Sequence, residues 1–367
     1  MADPLRSEKD LHEVQVSLQE LEEVLMRIVG GLDIHRQQVT FDWVDLDTGE
    51  AKRGRITPAD RVGFRKWLGQ FDGEVEVVLE GCTGWRFIAE ECAAAGAKVH
   101  VADPAEVAAR RSSKRRAKTD PIDARQLRQL LEKGEVPESW IPPQVVLEVR
   151  ERVRLYLDLL EDRQAWQHRI HATLFQHGVP KVDGKLLAGG RAEHGRDDPD
   201  LSDAGREAVD TALRIIAAID ADLTRIRGEL IAFGRRHPGP RELAHEYGLG
   251  ALLATVVWEE LGDTRRFSAS RQAVRHAGLD ISVYDSDGKH KGRPTLTRQG
   301  PPALRWALYE GAVHAHKKTS PDHAYYTRLA RRIGSGRARL SVARKLARRC
   351  HHRLRALGDQ AWVDLPG

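Results

Sequence analysis

Four carboxylates stand where a two-metal phosphodiester site would need them. Asp33 lies in the apolar run 28–34, within Gly31-Leu32-Asp33-Ile34-His35. A carboxylate buried there without a partner would be costly, and a bound divalent cation removes that cost. Glu80 ends the apolar stretch 75–79 and precedes Gly81, which sets it at the carboxyl edge of a strand, where α/β sheets collect ligands. Asp120 and Asp123, in Lys118-Thr119-Asp120-Pro121-Ile122-Asp123-Ala124-Arg125, are three residues apart. Pro121 suits the first turn of a helix, so both acids can face one way. Together the four could hold two Mg²⁺ ions, stabilising the attacking and leaving oxygens of a phosphodiester exchange. Each acid alone has a plainer explanation: Asp120 caps a helix, Glu80 ends a strand at the surface, and Asp33 pairs with a nearby arginine. Their order along the chain favours the joint reading.

The elements that must position them can be read from periodicity. Residues 28–34, 38–46 and 52–56 read as three strands, the last two separated by the turn Asp47-Thr48-Gly49. A helix over 59–68, a buried strand over 75–79, a helix over 84–95, a strand over 99–102 and helical sequence to 132 follow. Three strands and then alternating helix and strand make a mixed-sheet α/β domain of about RNase H size. Residues 144–177 are helical throughout, 181–199 form a Gly- and Asp-rich loop, and Ser202-Asp203 cap a second long helix reaching Arg236. The two helices form a stalk, which is either a hairpin within one domain or a dimerising coiled coil. A third block starts at Pro238. It holds the turn Tyr247-Gly248-Leu249-Gly250, a helix to Leu261, a short helix near 269–277, a hairpin over 281–296, and helices over 302–316 and 339–357. An amphipathic helix over 8–27, acidic on its polar face, precedes all of this. The expected division is therefore 1–27, 28–140, 141–237, 238–330 and an arginine-rich helix over 331–367.

Composition narrows the partners. Hydrophobic residues make up 41% of the 367, and no apolar run reaches the length of a membrane span. The N-terminus is charged and lacks a signal peptide's apolar segment. The three cysteines form no close pair, so a disulfide framework and a zinc ribbon are both unexpected and a cytoplasmic location is expected. Net charge is only +5, but it is unevenly spread. The closing stretch carries Arg328, Arg331, Arg332, Arg337, Arg339, Arg344, Lys345, Arg348, Arg349, Arg353 and Arg355 with no acid among them. Such a surface draws a polyanion by releasing its counterions, although a solvated helix face would carry the same pattern. Lys114, Arg115, Arg116 and Lys118, just before the last two acids, make a basic loop suited to a nucleic-acid phosphate.

The three acid-bearing segments (31–35; Leu79-Glu80-Gly81-Cys82-Thr83-Gly84; 118–124) resemble the DEDD transposases of the insertion sequence 110 family. The third block is similar to that family's C-terminal domain through Gly262-Asp263-Thr264-Arg265-Arg266-Phe267, Ala277-Gly278-Leu279, the turn 286–289, Gly292-Arg293 and Leu304-Arg305. The resemblance spans about residues 28 to 320, and its Lys-Thr-Asp-x-x-Asp-Ala segment is the most specific part. It implies an RNase H-like (RuvC-like) N-terminal domain with Asp33, Glu80, Asp120 and Asp123 as metal ligands and a C-terminal transposase domain, which periodicity makes mostly helical and joins through the long helical stalk, a coiled coil if it dimerises. It also implies a serine nucleophile, carried over to Ser286, with Lys289, Lys291 and Arg293 steadying the DNA phosphate. Arg305, Arg344, Lys345, Arg348 and Arg349 are further expected nucleic-acid contacts. A structured noncoding guide RNA, DNA as substrate, and dimers or tetramers complete what the resemblance implies. The sequence departs from the family at Tyr247-Gly248, at Ser286-Asp287-Gly288 and at Gly300-Pro301.

Read without the resemblance, Ser286 is a turn-former in a Gly/Asp turn. Two rivals stay open. One is a metal-only nuclease, like a junction resolvase, in which water attacks. The other is a nucleic-acid-binding protein on a degenerate RNase H-like fold.

Overall fold

The computed structural model describes residues 27–110, 119–179, 198–282, 285–286, 289–290 and 295–363. For 282, 285–286, 289–290 and 295 only the strand backbone is described. The expected helix over 8–27 lies outside the described residues up to 26, and Arg27 opens the first strand. The loop over 181–199 is likewise outside them as far as 197. The chain divides into two units, Met1–Ile141 and Pro142–Gly367.

The first unit is a five-stranded sheet between helices. Its strands are β1 (Arg27–Ile34), β2 (Val39–Asp45), β3 (Ala51–Ile56), β4 (Glu74–Glu80) and β5 (Lys98–Ala102), in the order β3-β2-β1-β4-β5. The first three form an antiparallel meander; β4 runs parallel to β1, and β5 parallel to β4. Strand alternation sorts the side chains to two faces. Ile28 and Leu32, Phe41 and Trp43, and Val77 and Leu79 pack with Phe64 and Trp67 of α1 (Arg61–Leu68) and with Ile88 and Cys92 of α2 (Trp85–Ala94). Burying each such side chain is worth about 1.5–3 kcal/mol, so this aromatic-rich layer is the main anchor of the unit. On the other face Val78 and Ala102 pack with Val107 of α3 (Pro104–Arg110) and Leu127 of α4 (Asp120–Glu132). Asp60 starts α1 by accepting from the Gly63 backbone at 2.7 Å.

The second unit opens with two long helices, α5 (Gln144–Gln176) and α6 (Asp203–Arg236). They run in opposite directions, since Arg163 pairs with Asp220 at their middles and His177 meets Ser202 at their joined ends. Ser202 caps α6 as expected, accepting from Gly205 at 3.1 Å. Buried Ile170 and Leu174 pack with Val209, Ala212 and Ile216 between them. Beyond lie α7 (Pro238–Leu243), α8 (Ala251–Leu261), α9 (Ser270–His276), α10 (Pro302–Val313), α11 (His323–Ile333) and α12 (Ser335–Leu357). In the expected hairpin, Ile281-Ser282 pair with Thr295-Leu296, and Asp285-Ser286 with Lys289-His290. Trp258 is fully buried and donates to the Ala361 carbonyl at 2.8 Å, tying the turn Gly358–Trp362 to α8. No helix among the described residues is long and apolar enough to cross a membrane. Cys82, Cys92 and Cys350 are free thiols.

Candidate active site

Gly31 brings the acids together. It sits in β1 on the face that α4 covers, and a Cβ there would lie 1.9 Å from the Ala124 carbonyl oxygen and 2.6 Å from the Arg128 nitrogen. Only a residue without a side chain lets the helix rest directly on the strand. Two residues on, by alternation, the same face carries Asp33. Gly31 is in register with Val78 of β4, and Leu32 with Leu79. Asp33 and Glu80 therefore come next on neighbouring parallel strands, at their carboxyl ends. The start of α4 lies over this edge. Thr119 holds the extended backbone that precedes the helix, Pro121 occupies its first turn, and Asp123 is buried one turn in. Lower on the same helix, Arg128 bonds Asp42 of β2, a carboxylate only 1% exposed that Arg53 also pairs. This buried clamp fixes α4 along the sheet.

At the edge itself three donors converge. His35 Nε2 lies 3.1 Å from Asp33 Oδ2 and 3.4 Å from Asp120 Oδ1. One ligand atom from each of the three residues lies within 4.8 Å of the others. Gln38 donates to the other oxygen of Asp120 at 3.2 Å. Burial raises the Asp33 carboxyl above its ordinary range; Asp120 and Asp123 push the same way, while His35 pulls it down. Thr40 pairs across the strand with Asp33 and is 2% exposed, and its hydroxyl meets no partner among the described residues. Asp33, half-buried and raised by its own burial and by the charges of Asp120 and Asp123, is short of positive charge. Oxygen-rich donors of this kind suit a divalent cation, so the residues present fit a metal.

Of the four acids expected as ligands, Asp33 and Asp120 both face His35, with carboxylate oxygens within 4.8 Å of one another. Asp123 acts on Asp33 through its charge, and Glu80 ends β4 on the same side of the sheet. His35 and Gln38 were not singled out from the sequence. His35 had a signal, since it lies two residues beyond Asp33 and so follows the strand's alternation to the same face. Gln38 had none.

The expected basic contacts divide. Lys114, Arg115, Arg116, Lys118, Lys291 and Arg293 lie outside the described residues, and for Ser286 and Lys289 only the hairpin backbone is described. In the second unit much of the tail's charge is turned inward. Lys345 pairs with Asp322 at 2.6 Å, and Arg349 with Glu246 at 2.6 Å and Asp322 at 2.9 Å. Arg344 donates to the Leu279 carbonyl at 2.7 Å and Arg305 to that of Ala277 at 3.3 Å. Arg348 is exposed, as are Arg328, Arg331, Arg332 and Arg337 on α11 and the first turn of α12.

Comparison with known proteins agrees with these features. Residues 30–178 match a transposase family of the IS110 DEDD type, and residues 241–327 match the family described as Transposase IS116/IS110/IS902. "Putative transposase y4qE" of Sinorhizobium fredii is 24% identical over 291 residues, which cover 72% of this chain and 65% of that protein. The match thus takes in a little less than two thirds of the relative's length. One family match contains all four acids and the other the block that follows the two long helices, and on that ground the chain belongs to the IS110 family of DEDD transposases.

Proposed function

We propose that this chain is the recombinase of an insertion sequence: it cuts element-end and target DNA and rejoins the strands. The observation that carries the reading is the meeting of Asp33 with Asp120 at the carboxyl edge of β1, within a stretch that matches a DEDD transposase family. The strand order β3-β2-β1-β4-β5, with an antiparallel meander and two added parallel strands, is what an RNase H-like (RuvC-like) domain requires. Asp33, Glu80, Asp120 and Asp123 would hold two divalent ions, Mg²⁺ by preference of carboxylate oxygen. Bound there, the ions supply Lewis-acid stabilisation of the charge that builds on the phosphate and on the leaving oxygen.

Ser286, paired with Lys289 across its short hairpin, is the nucleophile in this reading. Its Oγ bonds to phosphorus, the bond from phosphorus to one DNA strand breaks, and the hydroxyl proton ends on the departing strand's oxygen. Attack by another strand's hydroxyl on the phosphoserine reverses these changes and joins the new partner. Lys289, Lys291 and Arg293 steady the phosphate, and exposed arginines, Arg348 among them, hold the flanking duplex. A structured noncoding RNA selects the sequences by base pairing while the protein reads shape and backbone. The paired helices α5 and α6 form the stalk through which copies assemble as dimers and tetramers.

Covalent trapping tests this. Wild type and Ser286→Ala are incubated with the flanking noncoding RNA, Mg²⁺ and labelled element-end DNA, then denatured and resolved. A labelled protein band present in wild type and lost in the variant is expected. Cleavage without any adduct would overturn the serine step and favour a nuclease that uses water.

A further inference from the structure

We propose that His35 is itself a metal ligand, a nitrogen donor that shifts this site's preference from Mg²⁺ toward Mn²⁺. The proposal rests on the metal reading above. An imidazole nitrogen offers one proton or one lone pair along a single direction, yet His35 Nε2 faces two carboxylate oxygens, at 3.1 and 3.4 Å. A single N–H could be split between the two only as a bent, weakened three-centre bond. A shared ion accounts for both. Adjacent corners of an octahedron with ligands at about 2.1 Å lie about 3.0 Å apart, close to the observed separations.

The turn between β1 and β2 is built to present this group. The His35 backbone donates to the Gln38 carbonyl at 2.9 Å, and the Gln38 side chain in turn holds Asp120. The same short turn therefore aims His35 at the site and orients the acid opposite it. His35 is half exposed, which leaves one side open for water or a substrate phosphate to complete the coordination. Mg²⁺ favours an all-oxygen shell and dehydrates reluctantly, whereas first-row transition ions, Mn²⁺ the weakest binder among them, accept an imidazole beside carboxylates. A site of two or more carboxylates and one imidazole therefore favours Mn²⁺ over Mg²⁺.

Pulsed electron paramagnetic resonance on the full chain loaded with Mn²⁺ reads the ligand directly. Wild type is expected to show nitrogen modulation from one directly bound imidazole. His35→Gln, at a half-exposed position where folding is retained and checked by circular dichroism, is expected to lose the modulation. It should bind Mn²⁺ about tenfold more weakly while its Mg²⁺ affinity changes little. Bound Mn²⁺ without nitrogen modulation in wild type, or modulation that persists in the variant, overturns the role of His35 and leaves the carboxylate site standing. No bound Mn²⁺ in wild type overturns the metal reading and this inference together. Asp33→Asn, expected to abolish binding, confirms that the signal comes from this site.

Discussion

Replacing Gly31 with alanine should damage the acid site without touching an acid. The new Cβ would fall 1.9 Å from the Ala124 carbonyl oxygen and 2.6 Å from the Arg128 nitrogen, both backbone atoms of α4. Neither can rotate away, so the helix must lift from β1 by about 1 Å or the strand must buckle. Overpacking of this kind costs about 1–3 kcal/mol. For a unit of this size that is a fall in Tm of roughly 3–12 °C. The functional loss should be larger, because α4 carries Asp120 and Asp123 and a misplacement of about 1 Å can reduce rates on the order of 100-fold. Gly30→Ala is the control: its Cβ would point to the opposite face and meet a Val77 methyl at 3.2 Å, a side chain able to yield. Thermal unfolding with and without Mg²⁺, alongside cleavage of element-end DNA, measures both effects. A Gly31→Ala protein that melts and cuts like wild type, or one less impaired than Gly30→Ala, would refute the argument that this contact sets the site.

Four further outcomes follow from the structure. Arg128→Met leaves the buried Asp42 with only the more exposed Arg53 among the described residues, and should lower stability by about 3 kcal/mol; an unchanged urea midpoint would contradict the clamp. Glu259 is fully buried, with one oxygen accepting from Arg150 at 2.9 Å and the other without a partner among the described residues. Burial first, and Glu260 beside it, push this carboxyl up to about 8 against the pull of Arg150. The folded chain thus keeps a proton that the unfolded chain loses near pH 4.3. The stability it contributes is complete below about pH 4, declines as pH rises and is gone above about pH 8. Denaturation midpoints between pH 5 and 9 should fall in wild type and fall less in Glu259→Gln; equal slopes would count against it. Arg349→Ala, which strips Asp322 and Glu246 of an ion-pair partner, should lower Tm. Arg331→Ala with Arg332→Ala should instead leave Tm unchanged and reduce the salt dependence of DNA binding by about two phosphate contacts, whereas equal DNA affinity to wild type would move the nucleic-acid surface elsewhere.

The sheet was legible in the sequence because its alternation is clean. Val39, Phe41 and Trp43 mark one face of β2 and Thr40 and Asp42 the other, and turn residues bound each strand. Asp33 and Asp120, which the fold brings to one edge, were legible as candidates because a charge inside an apolar run and an acid beside a helix-starting proline both demand a partner. The helix Pro238–Leu243 was not foreseen, since Pro-Gly-Pro reads as a breaker. It forms because proline is tolerated in the first turn, and the His237 side chain accepts from Gly239 there. Helix His323–Ile333 was missed although Tyr326, Leu329, Ala330 and Ile333 recur at helical spacing; its eleven residues are short and begin without a capping side chain, which blurs its start. The arginine-rich tail shows the sharpest limit of sequence reading. Its local stretch holds no acid, yet Arg353 and Arg349 find Glu246 more than 100 residues earlier, and only the fold brings such partners together.

The central claim is that carboxylates at the edge of β1 and the start of α4 hold the metal that DNA strand cleavage requires. The most direct test is cleavage of labelled element-end DNA, with the flanking noncoding RNA and Mg²⁺, by wild type and by Asp33→Ala. The substitution removes a carboxyl that burial and two neighbouring acids already disfavour as a charge, so the metal-free fold should be no less stable, and Tm measured with a chelator verifies this. The account predicts metal-dependent cutting by wild type and none by the folded variant; cutting retained by Asp33→Ala would contradict it.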